Sequence, residues 1–253
     1  IWTRDELLLA FNLYCKTPFG KIDKRNPHIV ELAGLIDRTP SAVGWKLANF
    51  ARLDPAIQAR GLSGASHGSK GEEEIWNEFN KNWEQLSFES EVLLRSLKKK
   101  EIESQEEENL SDLLSTSREG LERETIIRAR VNQGFFRETI LATYSSQCCI
   151  TGINIPSLLI ASHIVPWSKD IKNRVNPQNG LCLNALHDKA FDRGLITINL
   201  EFEIITSKTL FSVGNSATVD FLTKFQGEKI KLPNKFSPEK AFLQYHNEHI
   251  FMG

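Results

Sequence analysis

Two imidazoles and one carboxamide stand in an order and spacing that could do chemistry: His163, Asn179 and His187, sixteen and then eight residues apart. An imidazole titrates near neutral pH, so it can move a proton or offer a lone pair to a metal. A carboxamide both donates and accepts, and can tie backbone groups together. His163 lies near the end of the apolar run Leu158-Leu159-Ile160-Ala161-Ser162-His163-Ile164-Val165, which reads as a strand. Asn179 sits in Asn176-Pro177-Gln178-Asn179-Gly180, a turn signal followed by the strand-like Leu181-Cys182-Leu183. His187 opens a helix carrying Ala190 and Phe191. Strand, loop, strand and helix with one polar residue from each part form a ββα metal-binding arrangement.

The elements that must carry this unit follow from patterning. Upstream, Phe135, Phe136, Ile140, Leu141 and Tyr144 predict a helix leading into Cys149-Ile150-Thr151-Gly152. The first sixty residues read as compact and helical: Trp2, Leu8, Leu9, Phe11, Leu13 and Tyr14 crowd one stretch that Pro18-Phe19-Gly20 interrupts. A second helix is expected from Pro27 to about Ile36. A third follows Thr39-Pro40, a cap and first-turn pair, and buries Ala42, Val43, Leu47 and Phe50. Two helices joined by Asp37-Arg38-Thr39-Pro40 suggest a helix-turn-helix. On the less apolar side of the third helix lie Trp45, Lys46, Asn49 and Arg52, a composition suited to DNA, with Lys46 and Arg52 for phosphates and Asn49 for a base edge.

Between these ends, residues 61–71 hold four glycines and three serines without periodicity and read as a linker. From Glu72 onward Ile75, Phe79, Trp83, Leu86, Leu93 and Leu97 recur at helical spacing, predicting a long helix or a helical pair. The acidic run Glu101 to Asn109 reads as a solvated helix end or a disordered joint. The division expected is therefore a helical recognition or targeting module over 1–60, a linker and acidic helical connector over 61–129, and a third domain over 130–253. The fold class expected is α+β.

The net charge of −1 conceals an uneven distribution. Residues 1–60 carry 9 Lys/Arg against 6 Asp/Glu (net +3), residues 61–129 carry 9 against 16 (net −7), and residues 130–253 carry 13 against 10 (net +3). Basic ends are compatible with phosphate contacts without establishing them. No apolar run approaches the roughly 18 residues of a membrane span, and Ile1-Trp2-Thr3-Arg4-Asp5-Glu6 is not a secretory n-region. Four cysteines, Cys15, Cys148, Cys149 and Cys182, fit free thiols and a cytoplasmic setting. No CxxC pair occurs, so no structural zinc knuckle is expected. His246 and His249, three apart on an expected C-terminal helix, read as surface or packing residues.

Four segments together resemble the HNH endonuclease family, in its branch of restriction-type bacterial nucleases: Cys149-Ile150-Thr151-Gly152, Ser162-His163-Ile164-Val165-Pro166-Trp167, Asn176-Pro177-Gln178-Asn179-Gly180-Leu181, and Leu186-His187-Asp188-Lys189-Ala190-Phe191-Asp192-Arg193-Gly194-Leu195. The resemblance implies a ββα-metal nuclease domain and a DNA endonuclease, set by that branch in restriction or phage defence. It assigns His163 as general base, Asn179 as the residue that aims it, and His187 as a metal ligand from the helix. The implied partners are double-stranded DNA and one divalent ion, Mg²⁺ or Mn²⁺, with a homodimer possible for cutting both strands. Two positions depart from the better-known pattern. Ser162 stands directly before the base, where many members have Asp or His, and Phe191 stands where colicin-type members have a further histidine. That leaves Asp188 and Asp192 as carboxylates for the ion, Asp192 being preferred because it lies near the helix end at Gly194. The competing reading is a DNA-binding or regulatory module on a degenerate, inactive HNH scaffold.

Overall fold

The computed structural model describes residues 1–61, 68–103 and 120–253. They form two compact units, Ile1–Phe135 and Phe136–Gly253. The architecture is α+β, with strands confined to the second unit.

The first unit is helical. Helix α1 (Arg4–Lys16) starts at a capping box in which the Thr3 hydroxyl accepts from Glu6 N and the Glu6 carboxylate accepts from Thr3 N. Asn26 caps α2 (Pro27–Leu35) and Thr39 caps α3 (Pro40–Leu53), each with proline in the first turn. Asp37, in a left-handed conformation (φ 51°), turns the chain between α2 and α3. Short α4 (Pro55–Ala59) follows, capped by Asp54. The expected helical pair is α5 (Lys70–Lys81) and α6 (Trp83–Glu103). Of the expected linker, residues 62–67 lie outside the described residues, as do residues 104–109 of the acidic run.

The helices of the connector do not stand apart from the N-terminal helices. Phe11 of α1 meets Phe50 of α3, Trp76 and Phe79 of α5, and Trp83 of α6 at ring separations of 4.5 to 6.0 Å. One aromatic core therefore spans both regions. The charge asymmetry along the chain is met inside the same unit, where Arg4 pairs with Glu78 and Glu89 and Lys16 with Glu91; Lys98 with Glu31 adds a pair of the opposite sense. The division between the two units falls within α7 (Gly120–Thr143).

The second unit is built on an antiparallel hairpin of β1 (Leu159–His163) and β2 (Gly180–Asn184), with His163 opposite Gly180 and Leu159 opposite Asn184. Helix α8 (Ala185–Asp192) leaves β2 directly. A second hairpin, β3 (Ile196–Ile198) and β4 (Ile204–Thr206), precedes α9 (Thr209–Val213), α10 (Ser216–Thr223) and α11 (Lys240–His249). The last turns of α7 lie against the first hairpin so closely that a Cβ on Gly180 would stand 2.3 Å from Ile140 Cδ1 and 2.8 Å from Phe136 Cζ. A side chain at this position would have to displace both. Among the described residues no helix is long and apolar enough to cross a membrane.

Candidate active site

His163 ends β1 with its ring fixed on three sides. Phe136 stacks on it at 4.0 Å and 11°, and Trp167 presents an edge at 5.5 Å and 86°. The Arg174 carbonyl lies 2.8 Å from Nε2. A carbonyl only accepts, so Nε2 carries the hydrogen and Nδ1 keeps the lone pair. Burial lowers the His163 pKa, and the Arg174 carbonyl and the Asp188 charge only partly oppose it. At neutral pH the imidazole is therefore unprotonated, with its basic nitrogen defined.

The loop after His163 is tied down by Asn179, which is fully buried. Its Oδ1 accepts from Val165 N at 2.8 Å, and its Nδ2 donates to Val165 O at 3.1 Å and Asn173 O at 3.3 Å. Its own carbonyl accepts from Ile164 N. The side chain thus spans the two ends of the Val165–Asn173 excursion. Arg174 closes the same loop from within, donating from Nε to Trp167 O at 3.0 Å and stacking its guanidinium on the Trp167 ring.

His187 lies in the first turn of α8. It is 1% exposed, and its ring packs near Phe221 (5.1 Å) and Phe225 (6.4 Å). Asn184 caps α8, accepting from Leu186 N and His187 N through Oδ1, and its Nδ2 lies 2.8 Å from His187 Nδ1. Asp188 and Asp192, four residues apart, share one face of α8. The Asp188 charge acts on the His163 pKa against the effect of burial, and the Ser162 hydroxyl favours the ionised form of Asp188. Burial raises the pKa of both carboxyls, and at Asp188 the neighbouring Asp192 charge adds to it. Phe191, which replaces a histidine of the colicin-type pattern, stacks on His246 at 3.7 Å, and its carbonyl accepts from His246 Nε2.

The three residues expected to face DNA face α5 instead. Asn49 is 2% exposed and donates to Glu72 Oε1 at 2.9 Å, Lys46 pairs with the same carboxylate, and Arg52 pairs with Glu73 at 3.1 Å. Glu72 is itself buried and closes a capping box with Ser69. Period-3.6 reasoning identified a polar side of α3 correctly but could not show that the acidic start of α5 covers it. Trp45, by contrast, is exposed.

Patterning missed Asn184 and Arg174. An Asn three residues before His187 at a strand-to-helix junction is a cap signal. Nothing local marks the Arg174 carbonyl. Among the described residues no three His, Cys, Asp or Glu side chains converge as a metal cluster, and all four cysteines are buried free thiols. The Asp188 carboxylate and the Ser162 hydroxyl are hard oxygen donors of the kind that suits Mg²⁺ or Mn²⁺, and Mg²⁺ is commonly held by only one or two carboxylates together with substrate phosphate.

Residues 148–199 match the family model described as HNH endonuclease. No curated protein matches the chain. The hairpin, the buried loop asparagine and the helix all fall inside the matched segment, so this part of the chain is similar to the HNH endonuclease family, a likeness that suggests nuclease activity on nucleic acids.

Proposed function

We propose that the second unit hydrolyses DNA phosphodiester bonds with His163 as general base, assisted by a divalent ion at α8. The observation that carries this reading is the bond from His163 Nε2 to the Arg174 carbonyl, which leaves Nδ1 as an oriented acceptor for a proton from water. Nδ1 takes that proton as the water oxygen bonds to phosphorus. The bond to the 3′ oxygen breaks, and a proton from solvent completes the leaving hydroxyl, giving 5′-phosphate and 3′-hydroxyl ends. Phe136 and Trp167 keep the ring from turning, and Asn179 fixes the loop whose carbonyl sets the tautomer. A bound Mg²⁺ or Mn²⁺ supplies offsetting charge for the phosphate and the leaving oxygen. The resemblance to restriction-type members supports a setting in restriction or phage defence and a double-stranded DNA substrate.

Incubating the full chain with supercoiled plasmid in Mg²⁺ or Mn²⁺, and in EDTA, tests the proposal. Nicked or linear product that appears with either ion and vanishes with EDTA is expected. Binding of DNA without cleavage in either metal would instead favour an inactive HNH scaffold.

A further inference from the structure

Two contacts frame the His163 ring from the same loop: the edge of Trp167 at 5.5 Å and the Arg174 carbonyl at 2.8 Å from Nε2. The chain between them, residues 168–173, is tied by its own hydrogen bonds. Arg174 Nε donates to Trp167 O at 3.0 Å, and Lys169 N donates to Pro166 O at 2.8 Å. Both oxygens of Asp170 accept from Asn173, one from its backbone N at 3.2 Å and the other from Nδ2 at 2.7 Å. The carboxylate of this segment is therefore committed within the loop. Its lysines are not. Lys169 and Lys172 are exposed, and neither closes an ion pair among the described residues. Ile171, between them in sequence, is 62% exposed.

A lone exposed isoleucine is ordinary on a protein surface. This one stands between two unpaired cations, on a loop whose ends hold the base. Lys172 is two residues from Arg174, so its Cα lies within about 7 Å of the Arg174 Cα, whose carbonyl bonds His163. Cations placed there suit phosphates on either side of the one being cut. An apolar side chain between two such contacts meets the apolar parts of a nucleic acid, its sugar faces and base edges, and isoleucine is among the side chains that wedge against a duplex. An acidic protein surface would satisfy the lysines equally, but it gives no reason for their place beside a phosphodiester-cleaving base.

We propose that residues 168–172 are the element by which the second unit grips duplex DNA beside the cut, with Lys169 and Lys172 on phosphates flanking the scissile one and Ile171 against the sugars and base edges between them. This rests on the nuclease reading above and adds to it the residues that hold the substrate against His163. All three side chains are exposed, so replacing them removes DNA affinity without loosening the fold.

The test is binding of the full chain to a fluorescein-labelled duplex, followed by anisotropy across a salt series in EDTA so that no cleavage intervenes. The proteins are the wild type, Lys169→Ala, Lys172→Ala, Lys169→Arg and Ile171→Ser, with thermal melts as a folding check. Each lysine-to-alanine change is expected to reduce the slope of log affinity against log salt by about 0.9, and Lys169→Arg to keep it. Ile171→Ser is expected to weaken binding by about tenfold with the slope unchanged, a pattern that loss of charge alone does not give. Wild-type affinity and slope in both lysine variants would overturn the proposal, and with plasmid cleavage by the wild type intact the nuclease reading would still stand. A lysine dependence seen with RNA and not with duplex DNA would overturn the choice of partner. A wild type that binds duplex through these lysines yet cuts plasmid in neither Mg²⁺ nor Mn²⁺ would keep the contact and remove the nuclease reading.

Discussion

Replacing Asn179 with alanine should damage stability and cleavage together. The substitution removes three side-chain hydrogen bonds and leaves Val165 N–H, Val165 O and Asn173 O without the partner they have now. Asn179 is fully buried and Val165 is 4% exposed, so water replaces those bonds poorly. An unsatisfied buried donor or acceptor costs about 1–3 kcal/mol. The N–H pays most of this, because each carbonyl has a second lone pair and tolerates loss better, so the sum for the site is about 3–5 kcal/mol. The loop also carries the Arg174 carbonyl that fixes His163, and a shift of about 1 Å in a catalytic group can lower the rate by about 10²-fold. Asn179→Asp sharpens the test: it keeps an acceptor for Val165 N but turns a carboxylate oxygen toward two carbonyls, so it should be no better than alanine. Urea unfolding followed by tryptophan fluorescence gives the stability change, and single-turnover cleavage gives the rate. An Asn179→Ala protein within about 0.5 kcal/mol of wild type and cutting at an undiminished rate would refute the claim that this side chain sets the loop.

Gly180→Ala should cost about 1–3 kcal/mol, because its Cβ meets Ile140 and Phe136, and it should slow cleavage through displacement of the Phe136 ring stacked on His163; equal melting temperatures would contradict the close packing. Glu72→Ala leaves Lys46 and Asn49 facing α5 without their acceptor and should destabilise the first unit by about 3–5 kcal/mol, measured by denaturant melts, with Lys46→Met much milder. Burial holds His246 at a pKa of about 4, only partly opposed by the Phe191 carbonyl. The unfolded chain therefore binds a proton that the folded one refuses between pH 6.5 and 4. The stability tied to His246 is present above about pH 6.5 and falls as the pH drops, by at most about 1.4 kcal/mol per unit. Melts of wild type and His246→Gln at pH 7.5 and 5 should show the shallower loss in the variant, and equal losses would place the acid sensitivity elsewhere.

The hairpin and helix around His163 were legible because the information is local. An apolar run, an Asn-Pro turn and a helix start follow one another within thirty residues, and α1, α2 and α3 announce themselves through Thr3, Asn26, Thr39 and two prolines. What local patterning does not show depends on contacts distant in sequence. Lys46, Asn49 and Arg52 have the composition of a DNA-facing surface; some twenty residues later Glu72 draws Lys46 and Asn49 into an internal polar cluster, and Glu73 pairs with Arg52 at the surface. Phe11 and Phe79, on either side of the glycine-serine stretch in sequence, likewise pack at 4.5 Å. At the candidate site, residue types pointed to His163 and Asn179, but whether His187 turns inward depends on a hydrogen bond from Asn184 whose direction is set by backbone groups. The spacing of Asp188 and Asp192, one helical turn, was available all along and carries more weight once their surroundings are known.

The central claim is that His163 takes the proton from the attacking water, and single-turnover cleavage of a supercoiled plasmid by His163→Gln addresses it most directly. Glutamine can still donate an amide hydrogen to the Arg174 carbonyl and fill much of the space between Phe136 and Trp167, so the loop should survive while the base is lost. The account predicts a rate lower by about 10²–10⁴-fold with melting temperature and DNA affinity close to wild type. Cleavage by His163→Gln at the wild-type rate would contradict it.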